Sequence, residues 1–510
     1  MFSLGSIFTL GQPRIRGGVH PEPRKEGTAR KRIDRRLPMP KMLYLSLLQH
    51  VGQPAEPIVR VGERVAKGQL VAVGQGTISA AIHAPTSGTI FDMMEYPATH
   101  PSALPTPTLL LEPDGEDRWV EGLEEIDPFL LAPEEISRRV AAAGVVGLGG
   151  AAFPSAVKLS LGRKTQIKTL LINGGECEPY LTCDDRLMQE HAVEIVEGIR
   201  IMMHALECQN AIVGIEDNKP EALSALIQAS QAFEMISIRE VPTLYPMGWD
   251  KQLIGYLTGK EVPAGGRTAD IGVLMHNVAT AYAVQQAIRY GRPLISRVVT
   301  VSGQAVSNPK NIEAWIGTPL RDLLKYCGLD EAIARRYILG GPMMGDTLPS
   351  IDVPLVKGGC GILALSEAEV ATSDSKPCIR CGRCVTACPV GLLPLEMMSR
   401  IRAGQLDGAV GYGLKDCISC GSCSYACPSE IPLVQYFKYA SSELVARQQA
   451  AHKTEQTKRL AYDKLARIER NKQEQAALAA ERRAKLQQMQ QRKLEPQAKK
   501  ESACQEEASA

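Results

Sequence analysis

The sequence contains no run of eighteen apolar residues; its longest apolar stretch, Val145 to Phe153, is interrupted by Gly147, Gly149 and Gly150. A helix that crosses a bilayer needs about 20 predominantly apolar residues, so no membrane span is expected. Net charge is almost absent, +2 at pH 7, and no global field selects nucleic acid as a partner. No cleavable signal sequence is evident, and the cysteines are bunched rather than spread as a disulfide scaffold; both point to a reducing compartment. No lysine stands between Lys67 and Lys158. With 510 residues the chain exceeds one domain, and about three to four are expected.

What the sequence does have is a cysteine pattern written twice. CIRCGRCVTACP holds Cys378, Cys381, Cys384 and Cys388 before Pro389; CISCGSCSYACP holds Cys417, Cys420, Cys423 and Cys427 before Pro428. Both read C-x2-C-x2-C-x3-C-P. Three thiolates of one tight loop can grip three corners of an iron–sulfur cube, and the fourth cysteine reaches the other cube. The expected sets are Cys378, Cys381, Cys384 and Cys427 for one [4Fe–4S] cluster, and Cys417, Cys420, Cys423 and Cys388 for the other. Zinc takes its four ligands as two separated pairs, a different spacing. Gly382 and Gly421 let the backbone wrap a cluster closely. A two-cluster module is a wire for single electrons. Cys177, Cys183, Cys208, Cys327, Cys360 and Cys504 lack such spacing and read as free thiols.

Around this module the chain is read as an α/β multidomain protein. Residues 1–41 form a basic arm, expected either on anionic lipid or an acidic partner or as a solvated extension. Residues 42–118 alternate short strands and turns; VRVGERVAKGQLVAVG (59–74) and HAPTSGTI (83–90) resemble a biotinyl/lipoyl-type hammerhead. Without a lysine on the intervening turn, that β domain is a fold and not a swinging arm. Residues 130–295 alternate strand-like runs (169–173, 211–215, 236–241, 271–275) with helical ones, predicting a mostly parallel sheet with ligands beyond its carboxyl ends. Val193, Val196, Ile199 and Met203 are expected on one buried helix face. Residues 296–348 make a small unit with a helix burying Leu320, Leu323 and Leu324. Residues 365–440 carry the two-[4Fe–4S] ferredoxin-type domain. Residues 441–510 form a charged helical or disordered tail, its helix expected to end near Pro496.

Two loops of the 130–295 domain carry a second chemical signal. GLGGAAFPSAVKL (147–159) is glycine-rich and leads into a helix bearing Lys158, an arrangement suited to phosphate. INGGECEPYLTCDDR (172–186) gathers Glu176, Glu178, Asp184 and Asp185 after a strand, suited to hydroxyl groups of a ribityl or ribose chain. These loops resemble the flavin-site motifs of the NADH-oxidising flavoprotein of respiratory complex I. Gly147, Gly149, Gly150, Phe153, Pro154 and Lys158 match its GRGGAGFP…K loop; Asn173, Glu176, Glu178 and Pro179 match its NADE-x-E-P loop; and HNVAT (276–280) is similar to NNVET through Asn277 and Thr280. Leu148, Ala152, Gly175 and His276 depart from it, and YPMGWDK (245–251) offers only Gly248 and Asp250 where the family has CGEET. The resemblance implies FMN and NAD(H), with Lys158 and the glycine loop at the FMN phosphate, Glu176 and Asn277 at the ring or ribityl chain, and Glu178 at the dinucleotide. No catalytic residue is singled out. Residues 296–348 resemble the β-grasp module that follows this domain in the same family.

The order of the pieces resembles the C-subunit family of Rnf-type ion-translocating electron transport complexes. That resemblance implies a peripheral subunit on the cytoplasmic side of the inner membrane. It would pass electrons between NAD(H) and a ferredoxin-type carrier, while other membrane subunits move ions. The related A subunit of the Na⁺-pumping quinone reductase is excluded by the eight cysteines. Two other readings stand beside it. One is a flavinless docking and relay subunit; the other is a reductase that keeps an iron–sulfur transcription factor reduced.

Overall fold

A computed structural model describes residues 15–161, 165–370 and 374–507, with side chains as far as Arg492. The first 14 residues of the basic arm and the Cys504 thiol therefore lie outside the described residues.

Four sheets build the part of the chain that ends at Phe437. The first two come from residues 43–113. Strands Leu43–Ser46, Pro105–Pro113, Gly88–Pro97 and Arg64–Val65 lie in that order in one antiparallel sheet, and Glu56–Pro57, Leu70–Val73 and Ile82–His83 form a second. Leu43, Leu45, Val71, Ile90, Leu109 and Leu111 alternate inward and fill the space between them. Lys67 takes no exposed tip position; it pairs with Asp117 at 2.6 Å and lies over the Trp119 ring.

The third sheet is wholly parallel. Its strand order is Ile236–Val241, Asn210–Glu216, Thr169–Gly174, Val273–Asn277. Chain order thus reverses between Thr169–Gly174 and Val273–Asn277, and these two strands are in register with Asn173 opposite Asn277. Crossover helices Ala192–Leu206 and Pro220–Ser230, with Val278–Arg289 after the last strand, cover the sheet. Gly198 lets two of them touch, because a Cβ there would meet the Ala281 carbonyl oxygen at 2.0 Å. Val196, Ile199 and Met203 are buried as their spacing predicts. Val193 is not: it is 70% exposed, because Ile195 supplies the buried contact in the first turn.

The fourth sheet, ordered Lys310–Trp315, Ser296–Ser302, Gly361–Ser366, Ala334–Leu339, Asp346–Leu348, packs on helix Leu320–Tyr326, whose Leu320, Leu323 and Leu324 are fully buried. Lys357 rivets three pieces together: its buried ammonium donates to the carbonyl oxygens of Ala81 and Gly144, each at 2.7 Å. Burial with no carboxylate partner lowers its pKa to about 7.

The described part of the basic arm, residues 15–41, does not project into solvent. Gly18 N donates to the Ala387 carbonyl at 3.0 Å, Val19 pairs with Tyr245 through both backbone bonds, and Tyr180 N donates to Pro23. Gly17, at φ +64°, sits where a Cβ would strike the Cys388 carbonyl at 2.5 Å. Asp34 closes the strap on Lys310 at 3.0 Å. The arm's charges are thus partly consumed within the chain, which a count of basic residues does not reveal.

The segment from Lys438 onward is a separate unit. It belongs to helix Leu433–Glu507, and every described side chain from Ala451 to Arg492 is exposed. The helix does not stop near Pro496. Loss of one backbone N–H there leaves its neighbours' hydrogen bonds available. Among the described residues no helix is long and apolar enough to cross a membrane.

Candidate functional site

The reversal point of the parallel sheet is where a ligand crevice opens in folds of this type, outside the strands' carboxyl ends. Three segments meet there. The glycine-rich loop is closed at its base by Gly147 N donating to the Phe153 carbonyl at 2.8 Å and by Ser155 N donating to Val145 at 3.0 Å. Its tip, Gly149 and Gly150, is exposed. Gly149 packs beside Asn277, where a Cβ would come within 3.2 Å of the Asn277 Cβ, and Gly150 has φ +107° with open space around it. Ala152 holds φ +46°, a left-handed conformation unusual for a residue with a Cβ. Leu148 N donates to Thr280 Oγ1 at 2.9 Å, which fixes the loop to the start of helix Val278–Arg289. The helix after the loop, Ser155–Leu159, has only five residues, so loop N–H groups rather than a long helix dipole would have to hold an anion.

The acidic loop faces this from the neighbouring strand. Asn173 Nδ2 donates to the Gly248 carbonyl at 2.7 Å, while its Oδ1 accepts from Gly175 N at 2.8 Å. Glu176 is buried and its carboxylate accepts from Asp184 N at 3.0 Å and Asp185 N at 3.3 Å, capping helix Cys183–Glu190. Burial raises its pKa, and Lys25 from the arm opposes that rise. Lys25 itself donates to the Glu176 carbonyl. Glu178 turns to the 341–344 loop, accepting from Met343 N at 3.0 Å and Met344 N at 2.8 Å. Burial pushes Glu178 up to about 7 despite those two bonds. Asn277 caps helix Val278–Arg289 through Ala279 N at 2.8 Å and donates to Asp184 at 2.6 Å.

All ten residues expected at a cofactor (Gly147, Gly149, Gly150, Phe153, Lys158, Asn173, Glu176, Glu178, Asn277 and Thr280) come from these three segments. Their side chains differ in freedom. Lys158 Nζ donates to the Met275 carbonyl at 3.1 Å, and burial lowers its pKa. Two buried polar atoms of these segments, Ser155 Oγ and His276 Nε2, have no protein partner among the described residues. Bare glycine backbone, an amide cap and two orphaned polar atoms suit a polar cofactor.

The two cysteine loops repeat one backbone conformation. Arg380 and Gly382 have φ +54° and +77°; Ser419 and Gly421 have φ +54° and +81°. The turn directs Arg380 N at Cys378 Sγ, 3.4 Å away, and beyond it Leu392 N lies 3.3 Å from Cys388 Sγ. The fourth cysteine of each run crosses over. Cys388 shares an apolar cavity with Cys417, Cys420 and Cys423, and Pro389, Met397 and Phe437 help to wall it. Burial raises Cys384, and its neighbouring thiols are Cys427 and Cys378. The sets differ in exposure: Cys388, Cys420 and Cys423 are buried, whereas Cys378 and Cys381 are exposed. The remaining described cysteines are free. Burial pushes Cys177 and Cys327 up to about 12 and Cys208 and Cys360 to about 11, so they stay thiols.

Two contacts that the sequence does not announce join the acidic loop's surroundings to the buried cysteine set. Tyr245 Oη donates to the Cys420 carbonyl at 2.6 Å. Gly421 abuts Met343, with room for a Cβ only 3.1 Å from the Met343 oxygen, and Met343 N holds Glu178.

Residues 13–116 match the family described as the RnfC barrel sandwich hybrid domain, 140–286 the Nuo51 FMN-binding domain, 298–347 an SLBB domain and 377–431 a 4Fe-4S dicluster domain. A Rhodobacter capsulatus protein, the C-subunit of its ion-translocating oxidoreductase complex, is 52% identical over 454 residues, 88% of this chain and 87% of that one. The chain belongs to the C-subunit family of Rnf ion-translocating oxidoreductase complexes. The C-subunit from Serratia proteamaculans is 46% identical over 457 residues, 89% of this chain and 65% of its own length. An NAD⁺-reducing [NiFe]-hydrogenase in the H2-reduced state overlaps 63% of both chains at 18% identity and a TM-score of 0.44, too low to carry functional weight. As a member of the Rnf C-subunit family the chain is an electron-transferring oxidoreductase subunit, with a domain of the FMN-binding type and a dicluster domain in sequence order.

Proposed function

We propose that this subunit passes electrons between NAD(H) and a ferredoxin-type carrier, from a flavin in the 130–295 domain through two [4Fe–4S] clusters. FMN exchanges two electrons as hydride and one at a time with clusters, which handle only single electrons. Asn277, Gly149 and Gly150 would hold the flavin at the sheet's reversal point; Thr280 fixes the glycine loop, Glu176 and Asn173 fix the acidic loop, and Lys158 supports the phosphate end. Cys388, Cys417, Cys420 and Cys423 would bind the inner cluster, and Cys378, Cys381, Cys384 and Cys427 the outer one. The observation that carries this reading is the pair of contacts, Tyr245 to Cys420 and Met343 between Glu178 and Gly421. They set the buried cysteine set against the flavin domain and leave the exposed set to meet a partner.

The finer architecture follows the same reading: a lysine-less hammerhead for 42–118 and a β-grasp unit for 296–348. Peripheral attachment on the cytoplasmic side of the inner membrane belongs to this proposal too, as does exclusion of nucleic acid as a partner. Flavin content and NADH oxidation of Lys158→Ala and Asn277→Ala test the flavin assignment. Both should fall, and unchanged values in both variants would overturn it. The flavinless relay keeps one observation in its favour: Lys158, Glu176 and Glu178 are already satisfied by protein partners. Loss of one cluster's iron in each of Cys378→Ala and Cys417→Ala would support the wire with or without flavin.

A further inference from the structure

A cavity of about 440 Å³ lies between helix Val278–Arg289, helix Cys183–Glu190 and strands Ser296–Ser302 and Lys310–Trp315, and adjoins the glycine-rich and acidic loops at Leu148, Cys183 and Asp184. It has the size of small-molecule sites, roughly 300–1,000 Å³. None of the ten residues expected at the flavin lines it. Its walls carry the rings of Trp119, Tyr282 and Trp315, the His191 imidazole packed 4.8 Å from Tyr282, and four Lys/Arg side chains. Two of those cations are neutralised: Arg35 by Glu313 at 3.0 Å and Lys67 by Asp117 at 2.6 Å. Its other acid, Asp184, takes the Asn277 amide.

Arg292 and Arg297 form no ion pair among the described residues. Arg297 is only 5% exposed. Its terminal nitrogens donate to the carbonyls of Lys357 and Leu148, while Nε has no partner at all. Asp184 across the cavity is its nearby carboxylate but makes no direct ion pair with it; a buried guanidinium with an unpartnered Nε is costly, and an anion in direct contact would relieve it. Arg292 lies exposed over Trp119, its guanidinium 5.8 Å from the ring centre. Guanidinium groups favour phosphate oxygens, and aromatic walls favour a flat ring.

We propose that this cavity is a second ligand site, taking a mononucleotide-sized molecule that joins an aromatic base to a phosphate. The phosphate would meet Arg297 and Arg292, and the base would stack among Trp119, Tyr282 and Trp315. The site does not depend on the flavin assignment.

The test uses the full chain and its own fluorophores, since two of its three tryptophans line the cavity. Replacing Trp249 (Trp249→Phe) confines the signal to Trp119 and Trp315. AMP titrated into this protein should change the fluorescence saturably, and Arg292→Ala or Arg297→Lys should weaken binding by about tenfold or more. Arg292→Ala, at the exposed rim, guards against a folding defect in the buried variant and should leave flavin content unchanged. Inorganic phosphate alone should bind more weakly than AMP. No saturable change at millimolar AMP, equal binding of phosphate and AMP, or affinity unmoved by both arginine variants would overturn the proposal. AMP binding lost in Lys158→Ala would likewise overturn it, by moving the ligand to the glycine loop.

Discussion

Glu178 is a carboxylate whose burial outweighs two backbone hydrogen bonds and raises its pKa from 4.5 to about 7. The folded state therefore binds this proton more tightly than the unfolded chain does. The resulting stability is fully present below about pH 4.5 and is lost as pH rises through about 7. Thermal unfolding should show Tm falling across that window, and Glu178→Gln should flatten the fall; parallel profiles for the two proteins would rule this out. Asn277→Ala removes a helix cap worth about 1 kcal/mol and leaves the half-buried Asp184 without its amide donor. Urea unfolding should show at least that loss, together with reduced flavin retention. Asn277, Thr280 and the glycines were legible because each belongs to a contiguous motif. Tyr245 and Lys25 were not, because their partners Cys420 and Glu176 lie 175 and 151 positions away.

At the scale of elements, the strands of the parallel sheet were readable from short β-branched runs bounded by turns, and Thr169–Gly174, Asn210–Glu216 and Ile236–Val241 lie within one residue of those runs. Strand order was not readable, since pairing between Thr169–Gly174 and Val273–Asn277 depends on the whole crossover. The 271–275 run begins late, at Val273, because Thr268–Ile271 closes as a 3-10 turn before Gly272. The cysteine loops give a contrast between two equivalent glycines. Both hold positive φ, which costs a residue with a Cβ roughly 1–2 kcal/mol. Gly382 has nothing within 4 Å of its added Cβ, whereas Gly421 has the Met343 oxygen at 3.1 Å. Gly421→Ala should therefore lose more iron than Gly382→Ala in anaerobically purified protein; equal losses would show that the Met343 contact does not bind the inner loop.

For the whole molecule, the sequence order of arm, β domain, α/β domain, small mixed unit and dicluster module was legible because each has its own period or motif. The arm's role was hidden. Its basic residues resemble a surface patch until Gly17, Val19 and Pro23 are seen threading between Cys388, Tyr245 and Tyr180. The tail was legible as polar and helical, though not in length. Because its described side chains beyond Ala450 are all exposed, a chain ending at Ala450 should keep the Tm and iron content of the full protein. A large drop in either would mean that the tail supports the rest. The central claim is that one chain holds a flavin and two crossed [4Fe–4S] clusters. Iron, sulfide and flavin should be quantified on one anaerobically purified sample. The account predicts about eight irons, about eight sulfides and about one FMN per chain. Four irons or fewer, or fully loaded clusters with no flavin even after incubation with FMN, would contradict it.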